Sequence, residues 1–335
     1  MTQWIIKDDS PNQMAPLCDL RATFEQRTGG RTTLDRLTQQ MGCAPAGFLC
    51  DDDKRAAMIS SRTGLKRTVD EEATVVNHPR IETPWDILDH LPGLLTLDLE
   101  NAKPLDGEYV VASYGDHRID VHPSAKILPG AVLDSSAGAI RIEEGVVIRP
   151  NAVLCGPCWI GENSTIIDGA FIKANTSIGP WCKVGGEVGG TIFQGYSNKS
   201  HDGHLGDSVI GEWVNFGAGT TNSNLLNTYG DIIVTDFESK RHRTNRNFVG
   251  CFVGDHVKFA IETKIMTGAM IGTGAMVASS TPTPSPTKRF AWITDGGERI
   301  YNIDKFIEVA KTVMKRREKH LDDATEAILR ILASE

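Results

Sequence analysis

A solenoid is the fold class this sequence predicts for the stretch Val121 to Pro282, and three observations predict it. A large apolar residue recurs at every sixth position from Ile142 onward: Ile148, Leu154, Ile160, Ile166, Ile172, Ile178 and Val184. Four places after each comes a small or compact residue: Val146, Ala152, Cys158, Ser164, Ala170, Thr176, Cys182 and Val188. Asn or Gly often stands three places after the large residue, as at Asn151, Asn163, Gly169 and Asn175, where a turn needs the left-handed backbone these residues tolerate. A period of six fits neither a helix nor simple alternation. It marks a stacked repeat whose units bury their apolar side only against one another.

The same register opens at Val121, Ile127 and Leu133, slips by three residues at Ala139–Arg141, and returns at Ile210 and Phe216, then at Val253, Phe259, Ile265, Ile271 and Val277. Hexads of this form resemble the left-handed parallel β-helix, in which three hexads close one triangular coil. That resemblance implies left-handed crossovers, against the usual right-handed rule. The 18 regular hexads make about six coils, a column roughly 29 Å tall at ~4.8 Å per strand. The fold class is mainly β: a left-handed parallel β-helix over residues 116–285, a small α/β domain over 1–115 and a helical cap over 286–335.

Residues 1–115 lack the period. Leu34, Leu37 and Met41 make an amphipathic piece, Gly47–Cys50 and Ala73–Val76 are short apolar runs, and a helix is expected from Thr83 to Leu91 with Pro84 in its first turn. Past the coil, prolines 282, 284 and 286 are expected to stop it, because proline supplies no ladder donor. Ile303 to Leu332 then reads as one or two helices, with Phe306, Val309, Val313, Leu321, Ile328 and Ile331 on one face.

With 335 residues the chain holds proper cores, and its net charge of -8 argues against nucleic acid as the main partner. No apolar run is long enough to span a membrane, and the first residues lack a signal pattern, so a cytoplasmic location is expected. Seven scattered cysteines make no disulfide framework. Cys155 and Cys158 form a lone CxxC whose second member falls on an inward hexad position, so no metal is assigned to it.

Two segments break the hexads, Gly190–Val209 and Asn222–Phe252, and both are expected to be outward loops that carry the chemistry. The first holds Tyr196-Ser197-Asn198-Lys199-Ser200-His201-Asp202-Gly203-His204-Leu205-Gly206. Between the two stands Asn215-Phe216-Gly217-Ala218-Gly219-Thr220, with Asn224 just beyond. A histidine titrating near neutrality suits taking a proton from an attacking amine. Carboxamides suit sugar hydroxyls, and Lys199 suits a phosphate. A backbone N–H near Gly217 or Ala218 suits a developing oxyanion.

His201, five places before the glycine of Leu205-Gly206-Asp207, followed by Asn215-Phe216-Gly217-Ala218-Gly219-Thr220, resembles the acetyltransferase half of the bacterial bifunctional sugar-1-phosphate nucleotidyltransferase/glucosamine-1-phosphate acetyltransferase family. The stretch Ala15–Arg21 through Leu34–Leu37 resembles the start of the nucleotidyltransferase-like heads joined to such repeats. Here the head is shorter than usual and lacks the Gly-rich phosphate loop, unless Gly29-Gly30-Arg31-Thr32 is its remnant.

The resemblance implies His201 as general base. It implies Asn215 and Asn224 on an amino-sugar phosphate and Ala218 on coenzyme A; beside them Tyr196, Asn198, Lys199 and His204 are expected on the substrate, and Gly217 and Gly219 on the cofactor. It implies acetyl-CoA as co-substrate, Mg2+ and an NTP only for an active head, and a homotrimer without nucleic acid or membrane. Two competing readings are a nucleotidyltransferase working through the head and a non-catalytic repeat protein that binds sugar nucleotides. A third is a γ-carbonic-anhydrase-type metal site using His201 and His204 with His242 or His256; its histidine spacings differ from that family's.

Overall fold

The computed structural model describes residues 4–9, 11–68, 74–76 and 81–335. Its centre is a β-solenoid of short parallel strands stacked in three faces. The first face runs from Ala112–Tyr114 to His204–Gly206 in six strands. The second has eight, from Ile119–Val121 to Ala269–Ile271. The third has ten, from Lys126–Ile127 to Gly297–Ile300, and only the last of these is antiparallel. Thr221–Asn222 and Lys264–Ile265 pair one and two layers beyond the first face.

The hexad residues are the interior. In the second face Ile142, Ile160, Ile178, Phe193, Ile210, Val253 and Ile271 lie in register and fully buried. The asparagines at 151, 163 and 175 all have φ near +60°, the corner conformation expected of them.

The column is taller than the sequence count, with nine parallel strands in the third face alone. Gly190–Val209 is not an outward loop. It contributes the strands Ile192–Gly195, Asn198–Lys199 and His204–Gly206 to the three faces. The period is masked there because Val184 to Val188 is spaced four residues, and Val188 to Phe193 and Leu205 to Ile210 five, instead of six, and because a lysine occupies one interior position. Residues 223–250, between the strands Thr221–Asn222 and Cys251–Val253, are a true excursion, carrying the antiparallel hairpin Ile233–Thr235/Arg241–Arg243. The proline stretch does not end the solenoid either. It lies in a connection, and Ala291–Thr294 resumes the third face beside Met276–Ala278.

The second face is covered, and its outward residues show why: Trp159, Ile192, Val209, Phe252 and Met270 are apolar and buried. Against them lie residues 14–18 and helix α3, Asp86–Glu100, through Leu88, Leu91 and Leu95. This helix is longer than expected and holds Pro92.

The other N-terminal elements are a parallel sheet, Gly47–Leu49/Trp4–Lys7/Thr74–Val75, with helices α1 (Thr33–Met41) and α2 (Asp53–Thr63). Ala73, the first residue of the apolar run Ala73–Val76, falls outside the described residues. Helices α4 (Ile303–Lys315) and α5 (Asp323–Leu332) pack onto this layer, sharing a core of Phe24, Phe48, Ile59, Phe306 and Leu329. No helix among the described residues is long and apolar enough to cross a membrane.

Candidate functional site

The corner that joins the third face to the first carries His201. The strand Asn198–Lys199 ends, residues 200–203 turn, and His204–Gly206 begins the first face. One layer below lies Gly185–Gly186; one layer above lies Gly217–Ala218–Gly219–Thr220. His201 is exposed on this corner. Stacking sets the glycines. A Cβ on Gly217 would come within 2.4 Å of the Ala260 carbonyl carbon, and one on Gly203, at φ +112°, within 2.1 Å of the Thr220 oxygen. Gly203→Ala is therefore expected to force the corner apart, costing at least about 2 kcal/mol. Urea unfolding checks it.

The corner places His201 one layer below Gly217, Ala218 and Gly219. The Gly217 N–H, however, donates to the Phe259 carbonyl at 2.9 Å, so the ladder has already used the proton offered to an oxyanion.

On the adjoining first face, His204 and Asn224 meet around Gly206. A Cβ there would lie 2.7 Å from both His204 Nε2 and Asn224 Nδ2. His204 Nδ1 is 3.6 Å from a Glu187 carboxylate oxygen that Lys173 approaches to 3.2 Å. Asn224 Nδ2 donates to Asp207 Oδ2 at 2.7 Å, and burial pushes the Asp207 carboxyl above its ordinary range. Lys173, Glu187 and Asp207 were not singled out from sequence. Each sits on the two-residue alternation that points its side chain outward, or on a corner, but alternation alone assigns no chemistry.

Four of the expected substrate contacts lie off this first face. Asn198 and Asn215 are paired on the third face in successive layers, and Arg317, just after α4, donates to Asn198 Oδ1 at 3.2 Å. Tyr196 lies at the opposite corner of the strand, stacked on Trp213 at 4.4 Å between ring centroids, and burial lifts its hydroxyl to about 12. Lys199 points inward. It pairs with Val184 in the ladder and is 1% exposed, and its ammonium donates to the carbonyls of Gly185 (3.1 Å), His201 (3.0 Å) and Gly203 (2.7 Å). An ammonium has three donors, so none remains for a phosphate.

Tyr196 instead helps line a cavity of about 530 Å³ between the solenoid, the N-terminal layer and the α4–α5 connection. Its floor is ionic. Arg21 Nη2 meets Asp255 Oδ1 at 2.6 Å and Glu212 Oε2 at 3.5 Å, and Arg62 meets Glu212 at 3.3 Å and Glu25 at 2.8 Å. Arg21 is buried. Gly29 and Gly30 are packed as well. Their Cβ directions run into Asp98 and Leu94 for the first and Trp159 for the second, so this turn serves helix and solenoid packing.

The histidines of the metal reading are dispersed. His242 Nε2 pairs with Asp236 Oδ2 at 2.6 Å on the excursion hairpin. His256 lies against Trp213 and Phe306, where burial pushes it down to about 3. Among the described residues no group of three or more His, Cys, Asp or Glu side chains is arranged to hold a metal ion.

No family model matches the chain. It is 34% identical over 197 residues, 59% of its length, to a bifunctional sugar-1-phosphate nucleotidylyltransferase/acetyltransferase of Sulfurisphaera tokodaii. It is 32% identical over 202 residues, 60% of its length, to the bifunctional protein GlmU of Methanococcus aeolicus. The chain spans less than half of these relatives, 44% and 43% of their lengths. Among solved structures, the polysialic acid O-acetyltransferase OatWY aligns at 13% identity over 58% of this chain and 89% of that one, with a TM-score of 0.26, too low to carry an argument.

Proposed function

We propose that this chain, a relative at about 30% identity of bifunctional sugar-1-phosphate nucleotidyltransferase/acetyltransferases, is an N-acyltransferase. It moves an acetyl group from acetyl-CoA to the amine of an amino-sugar phosphate, in the supply of sugar nucleotides. The observation that supports this reading best is the exposed His201 corner lying directly beneath Gly217–Gly219 and beside the His204–Asn224 pair.

In the reaction the acceptor nitrogen attacks the thioester carbonyl, His201 takes the proton that nitrogen must lose, and the C–S bond breaks to release coenzyme A. The side chains around Gly206 offer sugar contacts: the imidazole of His204 and the carboxamide of Asn224. Asn215 and Asn198, on the third face, offer contacts from the other side of the corner. The homotrimer and the cytoplasmic setting expected from the sequence belong to this same proposal.

Thiol release from acetyl-CoA with glucosamine-1-phosphate and related amino-sugar phosphates, with products identified by mass, tests it. Acceptor-dependent thiol release with an N-acetylated product is expected. A wild-type protein that releases no thiol with any of these acceptors overturns the reading.

A further inference from the structure

The third-face interior is a column of apolar side chains, Ile148, Ile166, Val184, then Phe216 and Phe259, with one exception. Lys199 occupies the aliphatic position between Val184 and Phe216. A buried ammonium is costly unless fully hydrogen-bonded, and a leucine or methionine would fill the site without that cost. What the charge does is set by its partners. The Gly185, His201 and Gly203 carbonyl oxygens all point at one atom, at 3.1, 3.0 and 2.7 Å. Two belong to the turn that bears His201, and one is His201's own. The third belongs to the layer below. Three carbonyl dipoles converging on one point repel one another unless a cation sits there.

We propose that Lys199 is a positioning residue for the transfer: its ammonium holds the Ser200–Gly203 turn closed on the solenoid and so fixes the backbone from which the His201 imidazole projects. The proposal rests on the acyltransferase reading for its catalytic consequence, but not for its structural one. The titratable groups around Lys199 are Asp202 and His201 in the turn itself, with Glu187 and His204 opening the first-face strands of the layer below and of its own layer. The layer above presents Phe216 and Gly217–Thr220, which carry no charge. Burial, partly offset by Asp202, brings the ammonium down to about 8. The clamp is accordingly charged at neutral pH and discharges as the pH rises past that value.

The test compares wild type with Lys199→Met, which keeps the unbranched shape of the lysine stem and is apolar like the rest of the column. In the variant kcat is expected to fall tenfold or more with each KM within threefold. The wild-type profile of kcat is expected to decline above about pH 8, and the variant to lack that alkaline limb. A lysine with only a bulk packing role would not remove a limb from the pH profile.

Crystal structures give an arm independent of activity. The turn at 200–203 is displaced in Lys199→Met, and wild-type crystals transferred to pH 9.5 show the same displacement, which requires no variant to fold. A turn that stays in place in the wild type at pH 9.5, or a variant with wild-type kcat and an intact alkaline limb, overturns the proposal. A turn that moves in a protein whose wild type acetylates no acceptor overturns the acyltransferase reading and leaves the clamp standing.

Discussion

His201→Ala is expected to lower turnover of acetyl-CoA with the accepted amino-sugar phosphate by two or more orders of magnitude, with both KM values within a few-fold of wild type. The size follows from the role: a positioned general base contributes roughly 10²–10⁴-fold. The split follows from the timing, because the imidazole matters when the attacking nitrogen sheds its proton and little before. The geometry makes this variant clean. His201 is exposed on its corner, and its structural contact with Lys199 runs through the backbone carbonyl, which alanine keeps. Folding should therefore be unchanged. Steady-state kinetics beside thermal unfolding check both halves, and a loss of less than about tenfold removes His201 from the base's role.

Most of the fold can be read in the sequence because a solenoid writes its interior as a period. Ile142 to Val184 occupies the interior as the hexads require. The excursion after Asn222 and the two C-terminal helices also stand where polarity and periodicity place them. The reading fails where residues are missing from a corner. Val184 to Val188 loses two positions, Val188 to Phe193 and Leu205 to Ile210 each lose one, and a six-residue template then reports a loop where the coil continues. It fails again at the prolines, since a proline bars a ladder position but not the connection between two ladder strands.

At the candidate site the directions of the side chains are not legible in the sequence. Lys199 is read as a surface cation only if Gly190–Val209 is a loop; once that segment is a coil, ladder register with Val184 turns the lysine inward. The same error moves Tyr196, which caps the opposite corner on Trp213. The covered second face did leave a signal. Trp159, Ile192, Val209, Phe252 and Met270 are large apolar residues on outward positions, and such a stripe needs a partner. It becomes visible only after the three faces are assigned.

Arg21→Met is expected to destabilise the protein by about 3–5 kcal/mol at pH 7, the scale for stripping one partner from a buried ion pair. Arg21, 1% exposed, and the Asp255 side chain, 2% exposed, meet at 2.6 Å, and Asp255 Oδ1 also accepts from the Glu212 N–H at 2.6 Å. Arg21 leads out of the N-terminal segment, while Glu212 and Asp255 occupy the same solenoid corner one layer apart. Removing the guanidinium would leave a carboxylate without its cation in the seam that joins these parts.

The pH dependence has a definite sign. Burial and the neighbouring Glu212 charge already raise the Asp255 carboxyl above its unfolded value, and Arg21 opposes them. Without Arg21 that pKa rises further. A carboxyl raised in the folded state penalises the fold at pH values above its folded pKa, and the penalty is relieved as the pH falls toward the unfolded value of ~3.9. The difference between wild type and Arg21→Met should therefore be largest at pH 7 and shrink toward pH 4. Arg21→Met/Asp255→Asn should recover most of it at pH 7, since an amide keeps the acceptor for the Glu212 N–H and discards the charge. Urea unfolding of the three proteins at pH 7 and pH 5, at one protein concentration, measures all of this. A difference below about 1 kcal/mol at pH 7 would mean that Arg21 and Asp255 contribute no more than an exposed pair.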